Sequence, residues 1–300
     1  MTSLISHLNR AYDRFLFGSC NPLTCVLVRV TYAALLIVYV GVWMLDGTKW
    51  FSDAGVLQAA TAQVLSPTPA ESIFQWIPST PWVINTCLGI LMLQSVCLLL
   101  GIYSRFQAAC IFVWLVSFQY RNPLILDGED TVFRLFAFCL IFMSTDYAWS
   151  LSRRWRRPPL SLVDAVSQSW GLRLMQIHVV LIYASAAWNK LLGPTWQDGS
   201  AMFYVYQMED LFGRGPLPIS VLESEFMVRT VTWAVLVVES ILPIALCVRR
   251  TRFVAVGVGI MLHLSMEYAM NLFLFQWIMI VGLLSFVDVR RDRAPSDCRT

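Results

Sequence analysis

The 300-residue chain is 57% hydrophobic and 14% charged, with a mean hydropathy of +0.62. Soluble domains carry about a quarter charged residues, so this composition excludes a soluble globular protein of this length. The formal net charge is +3, but its basic residues cluster beside apolar blocks, which speaks for orientation in a membrane and against nucleic-acid binding.

Eight apolar blocks follow one another: about residues 23–45, 81–103, 106–120, 130–149, 171–191, 226–248, 253–271 and 272–287. Most approach the roughly 20 residues needed to cross a bilayer core. They lack a period of two, and lipid cannot satisfy an open backbone, so helices are expected and strands are not. The predicted fold is all-α, a polytopic membrane bundle of about eight transmembrane helices. It forms one transmembrane domain over residues 1–300, with a short N-terminal segment (1–22), a C-terminal tail (288–300) and no soluble domain.

Between the blocks, arginine clusters alternate with acids. Arg10 and Arg14, Arg105, the run of Arg153, Arg154, Arg156 and Arg157, then Arg249, Arg250 and Arg252, and finally Arg290, Arg291 and Arg293 occupy every second connection. The other connections hold Asp46, Asp53, Glu71, Asp127, Glu129, Asp130, Asp198, Glu209, Asp210, Glu223, Glu225 and Glu267. The positive-inside rule then puts both termini in the cytoplasm, and a cell (inner) membrane is the expected location. The tightest connection, between the last two blocks, is the weakest point of the count. Cysteines fall mostly inside blocks, without CxxC or other metal-ligand spacing, so no metal is expected.

Ionisable residues inside such blocks are costly and mark pairs or function. Arg29 in the first block and Glu239 in the sixth fall at similar depth and are expected to pair, or Arg29 snorkels to the cytoplasmic headgroups. Asp130 and Arg134 share a helix face and are placed to pair, while Asp130 also suits a helix cap. Lys190 closes the fifth block and is one of only two lysines, with Lys49. Unlike arginine, lysine can lose its proton when buried and act as a base. His263, Glu267 and Asn271 form one polar stripe along the seventh block, and His178 points about 120° away from Lys190. Glu129, Asp130, Arg134, Lys190 and Glu267 are all expected near the outer face.

The segment Tyr183-Ala184 through Lys190-Leu191 to Trp196 and Asp198-Gly199 resembles the HTTM family, the membrane domain shared with vitamin K-dependent γ-carboxylase. The string Phe51-Ser52-Asp53-Ala54-Gly55-Val56-Leu57, the stretch from Arg121-Asn122-Pro123 to Arg134, and His263 with Phe286 fit the same pattern, so the resemblance spans essentially the whole chain. It implies a lysine, here Lys190, that deprotonates a reduced quinone of the vitamin K hydroquinone type. Oxygen then yields a strongly basic quinone oxide that abstracts a glutamate γ-proton, and carbon dioxide traps the carbanion. The cofactor carries the step that no side chain is basic enough to perform.

On that reading Lys190, Glu129, Asp130 and Arg134 are the catalytic candidates, and His263, Glu267 and Trp196 the cofactor-binding ones. The partners implied are the bilayer, a quinone or lipid ligand, and a protein or peptide substrate. Glu129 stands where the carboxylase has a histidine, and the carboxylase's large soluble C-terminal part is not expected here. A quinone- or lipid-linked enzyme is therefore the first expectation. The alternative is a non-catalytic membrane partner in the export or maturation of another protein. A transporter ranks below both, for want of a visible internal repeat.

Overall fold

The computed structural model describes residues 21–65, 72–146, 148–155, 170–208, 224–270 and 272–288. Arg10, Arg14, Glu71, Arg156, Arg157, Glu209, Asp210, Glu223, Asn271 and the tail arginines lie outside these. Among the described residues every regular element is a helix. Eight reach ten residues or more: α1 (Pro22–Phe51), α2 (Pro81–Leu99), α3 (Ser104–Arg121), α4 (Gly128–Ile141), α5 (Trp170–Leu192), α6 (Glu225–Cys247), α7 (Arg252–Ala269) and α8 (Phe275–Leu284). Each grows from one of the apolar blocks.

Local chemistry sets the helix ends. Asn21 caps α1 by accepting from the Leu23 amide (3.0 Å), and Pro22, whose missing N–H costs nothing in a first turn, follows it. The first block was expected to end near residue 45. Instead α1 kinks at Asp46 (φ −130°, ψ 23°) and resumes to Phe51. At the start of α4 the cap residue is Asp127, not Asp130 as anticipated; Asp130 stands three residues on and closes a capping box, its side chain accepting from the Asp127 amide (2.6 Å). Ser224 caps α6 as Asn21 caps α1, its side chain accepting from an amide of the first turn, that of Met227 (3.4 Å).

The fourth block yields a shorter helix than its apolar length suggests. α4 stops at Ile141, because the following segment turns its carbonyls toward two arginines. Arg29 donates to Thr145 O (2.9 Å) and Trp149 O (2.6 Å), and Arg105 donates to Met143 O (3.1 Å). The eighth block is likewise reduced to ten residues, after a left-handed Phe273 (φ 44°).

Long-range bonds sort the helix ends into two sets. At one end, Thr24 donates to Val287 O, Gln176 to Ser285 O, and Ser150 to Gly101 O. These contacts join the starts of α1 and α5, the end of α8 and the α2–α3 turn. At the other end, Arg121 pairs with Asp53 (3.0 Å) and donates to Ser79 (3.1 Å), while Asn122 donates to Trp50 O (2.8 Å). Two sequence motifs thereby interlock: the one after α1 and the one after α3. The eight helices alternate in direction between the Arg29 end and the Lys190 end.

Close packing depends on small residues where helices cross, since lipid-facing helices gain no hydrophobic drive from meeting one another. A Cβ on Gly282 of α8 would fall 2.8 Å from both Phe136 of α4 and Val179 of α5. Around α1, Tyr39 stacks on Phe133 (centroids 4.5 Å apart) and Phe51 meets Phe118 edge-on, while the Tyr32 hydroxyl donates to Phe133 O (2.9 Å). α1, α2 and α6 are each long and apolar enough to cross a membrane.

Gly101, in the α2–α3 turn, is left-handed (φ 70°), and a Cβ there would sit 2.5 Å from the Arg29 guanidinium and 2.8 Å from Ser150. Gly101→Ala is expected to cost at least the roughly 1–2 kcal/mol of a left-handed non-glycine residue. Thermal unfolding in detergent reads this directly. An unchanged midpoint would mean that the turn relaxes without disturbing Arg29.

Candidate functional site

The fifth, sixth, seventh and eighth helices bring a line of polar side chains into the apolar bundle. Lys190, near the end of α5, forms an ion pair with Glu239 of α6. Its ammonium also lies 4.9 Å from the centroid of the Trp196 ring, a cation–π distance. The Glu239 side chain is 8% exposed and that of Lys190 23%.

The partner expected for Glu239 was Arg29, and the structure corrects that expectation. Arg29 is fully buried at the opposite end and stands 3.8 Å from Asp146, so it neither reaches Glu239 nor snorkels. Two facts explain the difference. The first turns of α6 pack on the loop after α5: the Met202 amide donates to Thr232 (3.1 Å), and Gly199 lies against Arg229 and Trp233. The rise from Glu225 to Glu239 is about 21 Å, so Glu239 comes level with the last turns of α5. Helical side chains also lean toward their own N-terminus. On antiparallel α5 and α6, Lys190 and Glu239 therefore lean toward each other.

Beside the ion pair, the Tyr183 hydroxyl meets His263 Nε2 (2.6 Å), and His263 Nδ1 meets Gln276 Oε1 (2.5 Å). A carbonyl oxygen only accepts, so Nδ1 carries the ring hydrogen and donates to Gln276. Nε2 of the neutral ring then accepts from Tyr183. Gln276 is fully buried, and its Nε2 has no hydrogen-bond partner. Glu267, half-buried, stands one turn beyond His263 on α7. His178 is turned away, as expected, bonded to Leu174 O and against Cys139 of α4.

The α4 candidates form a neighbouring cluster. Asp130 accepts from the Tyr39 hydroxyl and from the Asp127 amide, and its own carbonyl accepts from Gln119 (2.8 Å). Glu129 is buried in the same first turn. Arg134 lies half-buried, 6.0 Å from the Tyr120 ring. The Asp130–Arg134 ion pair suggested by their spacing is not among the ion pairs of the described residues; Tyr39 takes that side of Asp130 instead.

Phe275 links the two clusters. A Cβ on Gly128 would touch its ring (3.2 Å), and its centroid is 6.4 Å from that of His263. The start of α4 and the Lys190–His263 line thus flank one aromatic side chain. Among the described residues no hydrogen bond or ion pair joins Glu129, Asp130 or Arg134 to Lys190.

Comparison with known proteins shows the family. Residues 70–290 match the HTTM domain. The chain belongs to the HTTM domain family. It is an integral membrane protein, and within the matched region the Lys190–Glu239 pair and the Tyr183–His263–Gln276 line are two separate sets of polar contacts. Sporulation-delaying protein SdpB of Bacillus subtilis (strain 168) is 22% identical over 201 residues, which cover 59% of this chain and 56% of that protein. The chain thus spans little more than half the length of that relative. No solved structure is significantly similar.

Glu239 and Gln276 complete the site, and neither stood out as a site residue from sequence. A usable signal for Glu239 was present: it is an acid deep in one apolar helix, while Lys190 is a lone base in another.

Proposed function

We propose that this HTTM protein is a membrane-embedded enzyme with carboxylase-like chemistry, in which Lys190, paired with Glu239, takes a proton from a hydroxyl of a quinol-type lipid cofactor. On this reading all eight helices cross the cell membrane. Both termini are cytoplasmic, and the Lys190 end lies near the outer face. The described clusters at Arg105, Arg153 to Arg154 and Arg249 to Arg252 fall at the Arg29 end, where the positive-inside rule wants them.

The observation that carries the proposal is the Lys190–Glu239 pair beside the Tyr183–His263–Gln276 line. A buried ammonium–carboxylate pair and its neutral amine–acid counterpart differ only in where one proton sits. In the neutral arrangement Nζ has a lone pair and accepts a hydroxyl proton. The ammonium so formed is held by the Glu239 side chain and by the face of Trp196. Tyr183 is fixed by His263, and His263 by Gln276, so the polar line is oriented before any ligand arrives.

The residues present fit a quinone-type group. Gln276 Nε2 is a buried donor with an unused hydrogen-bonding capacity that a quinone or quinol oxygen satisfies. Trp196 and Phe275 supply flat apolar faces, and Glu267 stands one turn beyond His263 on α7. Bound there, such a cofactor supplies the strongly basic species that side chains cannot. Asp130, whose oxygens already hold Tyr39 and a backbone amide, serves to position the start of α4.

The deciding variant is Lys190→Arg. It keeps a cation for Glu239 but cannot give up its proton. With mass spectrometry of co-purified lipids alongside, the expected result is a retained quinone-like lipid, an intact fold and no turnover in Lys190→Arg, and no turnover in the less stable Lys190→Ala. Full function in both variants, with a protein partner co-purifying, would replace this reading by that of a non-catalytic partner in export or maturation.

A further inference from the structure

The chemistry at Lys190 makes no use of His178, which stands on another side of α5, against α4. At 1.5 Å per residue it lies about 12 Å from the first residue of α5 and about 21 Å from the last, near the middle of a bilayer core of roughly 30 Å. Lys190 is about 18 Å farther along the helix. The protein fixes the ring. Nδ1 meets Leu174 O one turn back (2.8 Å), and a carbonyl only accepts, so Nδ1 carries the ring hydrogen. A charge at this depth is costly, so the ring is neutral and Nε2 keeps a lone pair. Among the described residues nothing donates to that lone pair. The residue is half-buried, and hydrocarbon offers no donor either. Such an acceptor is satisfied by a molecule that brings a hydrogen to it.

The neighbouring surface is a strip of aromatic rings. Phe112, Phe138, Phe142 and Trp170 follow one another across α3, α4 and α5, with centroids 5.4, 5.1 and 4.4 Å apart, and all four are half-buried. Phe138 adjoins Cys139, whose sulfur is 3.8 Å from His178 Nδ1. Trp170 and Leu174 share the His178 side of α5, at steps of four residues. A flat ring thus finds aromatic faces beside a single hydrogen-bond acceptor. Phospholipid headgroups stay at the membrane surface, about 15 Å from this depth. The ligand that suits the site is a neutral lipid whose ring carries a hydroxyl. A quinol has both parts, whereas the corresponding quinone has only acceptors.

We infer that the α4–α5 face at His178 is a second quinol site, where a phenolic hydroxyl donates to Nε2 and the ring lies against Phe138, so that the reduced form is held in preference to the oxidised one. The choice of a quinol rests on the cofactor proposed for Lys190, while the acceptor and the aromatic strip stand on another face of α5.

The test is native mass spectrometry of the whole chain in neutral detergent, titrated with a short-chain benzoquinol or with its dimethyl ether, which cannot donate. Two bound quinols per chain are expected, one in His178→Phe, and two again in His178→Gln, whose amide oxygen restores an acceptor. His178→Phe gives up only a bond within its own helix, so the fold is retained. The chain has three histidines, so nitrogen NMR of histidine-labelled protein follows His178 Nε2 itself. Its resonance should move with the quinol, and the ether should bind there about fivefold more weakly, roughly the net worth of one hydrogen bond. A single bound quinol that is lost in His178→Phe would keep this site and remove the one at Lys190. Equal counts in the original protein and His178→Phe, or a His178 resonance that the quinol leaves in place, would overturn the assignment. So would a resonance that moves as readily with the ether. A resonance that moves with protein concentration alone would also overturn it, because a second copy of the chain would then supply the donor.

Discussion

Lys190→Met is expected to destabilise the folded protein by about 3 kcal/mol, as is Glu239→Gln by a somewhat smaller amount. Removing one partner of a buried ion pair leaves the other charge without compensation, at a typical cost of about 3–5 kcal/mol. Lys190→Met strands Glu239, whose side chain is only 8% exposed, whereas Glu239→Gln strands Lys190, whose side chain is 23% exposed and can recover some solvation. Glu239→Gln keeps the shape and a hydrogen-bonding group beside Nζ, which softens its loss.

The informative variant is the double one, Lys190→Met with Glu239→Met. Well-packed apolar residues often replace a buried pair at little or no net cost. The double variant should therefore be more stable than either single, with a coupling within the ~0.5–3 kcal/mol seen for residues in contact. Unfolding monitored in detergent for the four proteins of the cycle gives this number. Strict additivity would show that the two side chains do not interact and would remove the basis of the proposed chemistry. A strong coupling with normal turnover in Lys190→Arg would keep the pair but reduce it to a structural role.

Much of the architecture was legible in the sequence because it rests on block length and block chemistry. The helices α1 to α8 grow from the apolar blocks, and the described arginine clusters gather at one end. Boundaries were less legible where a distant side chain decides them. Nothing within residues 142–149 says that the helix stops at Ile141; the carbonyls there are claimed by Arg29 and Arg105, which lie far back in the chain.

The site shows the same division. Lys190 was marked by its rarity and His263 by its place in an apolar helix. Their partners depend on how far α6 rises past the end of α5, and that offset comes from the packing of the loop helix Ala201–Tyr206 on Thr232. Depth counted from helix ends assumes that all helices end level. Glu239 was assigned to Arg29 on that assumption, and its failure moved Glu239 to Lys190.

Arg29→Met is the second large loss expected, at about 3–5 kcal/mol. The side chain is fully buried, and its two terminal nitrogens divide between Thr145 O and Trp149 O, with Asp146 3.8 Å away. Methionine would fill much of the volume but leave both carbonyls and a partly buried carboxylate without their donor. Arg29→Lys separates this role from the snorkelling one. An arginine that merely extends to headgroups is replaced by lysine almost freely. An arginine that uses a planar fork to hold two carbonyls is not, because one ammonium lacks that geometry. Arg29→Lys should thus recover only a minor part of the loss, and Asp146→Asn should cost less than either, since its carboxylate is the more distant and more exposed partner. Thermal midpoints for the three variants in one detergent rank these effects. A lysine variant as stable as the original protein would return Arg29 to the membrane surface, and the stop of α4 at Ile141 would then need another cause.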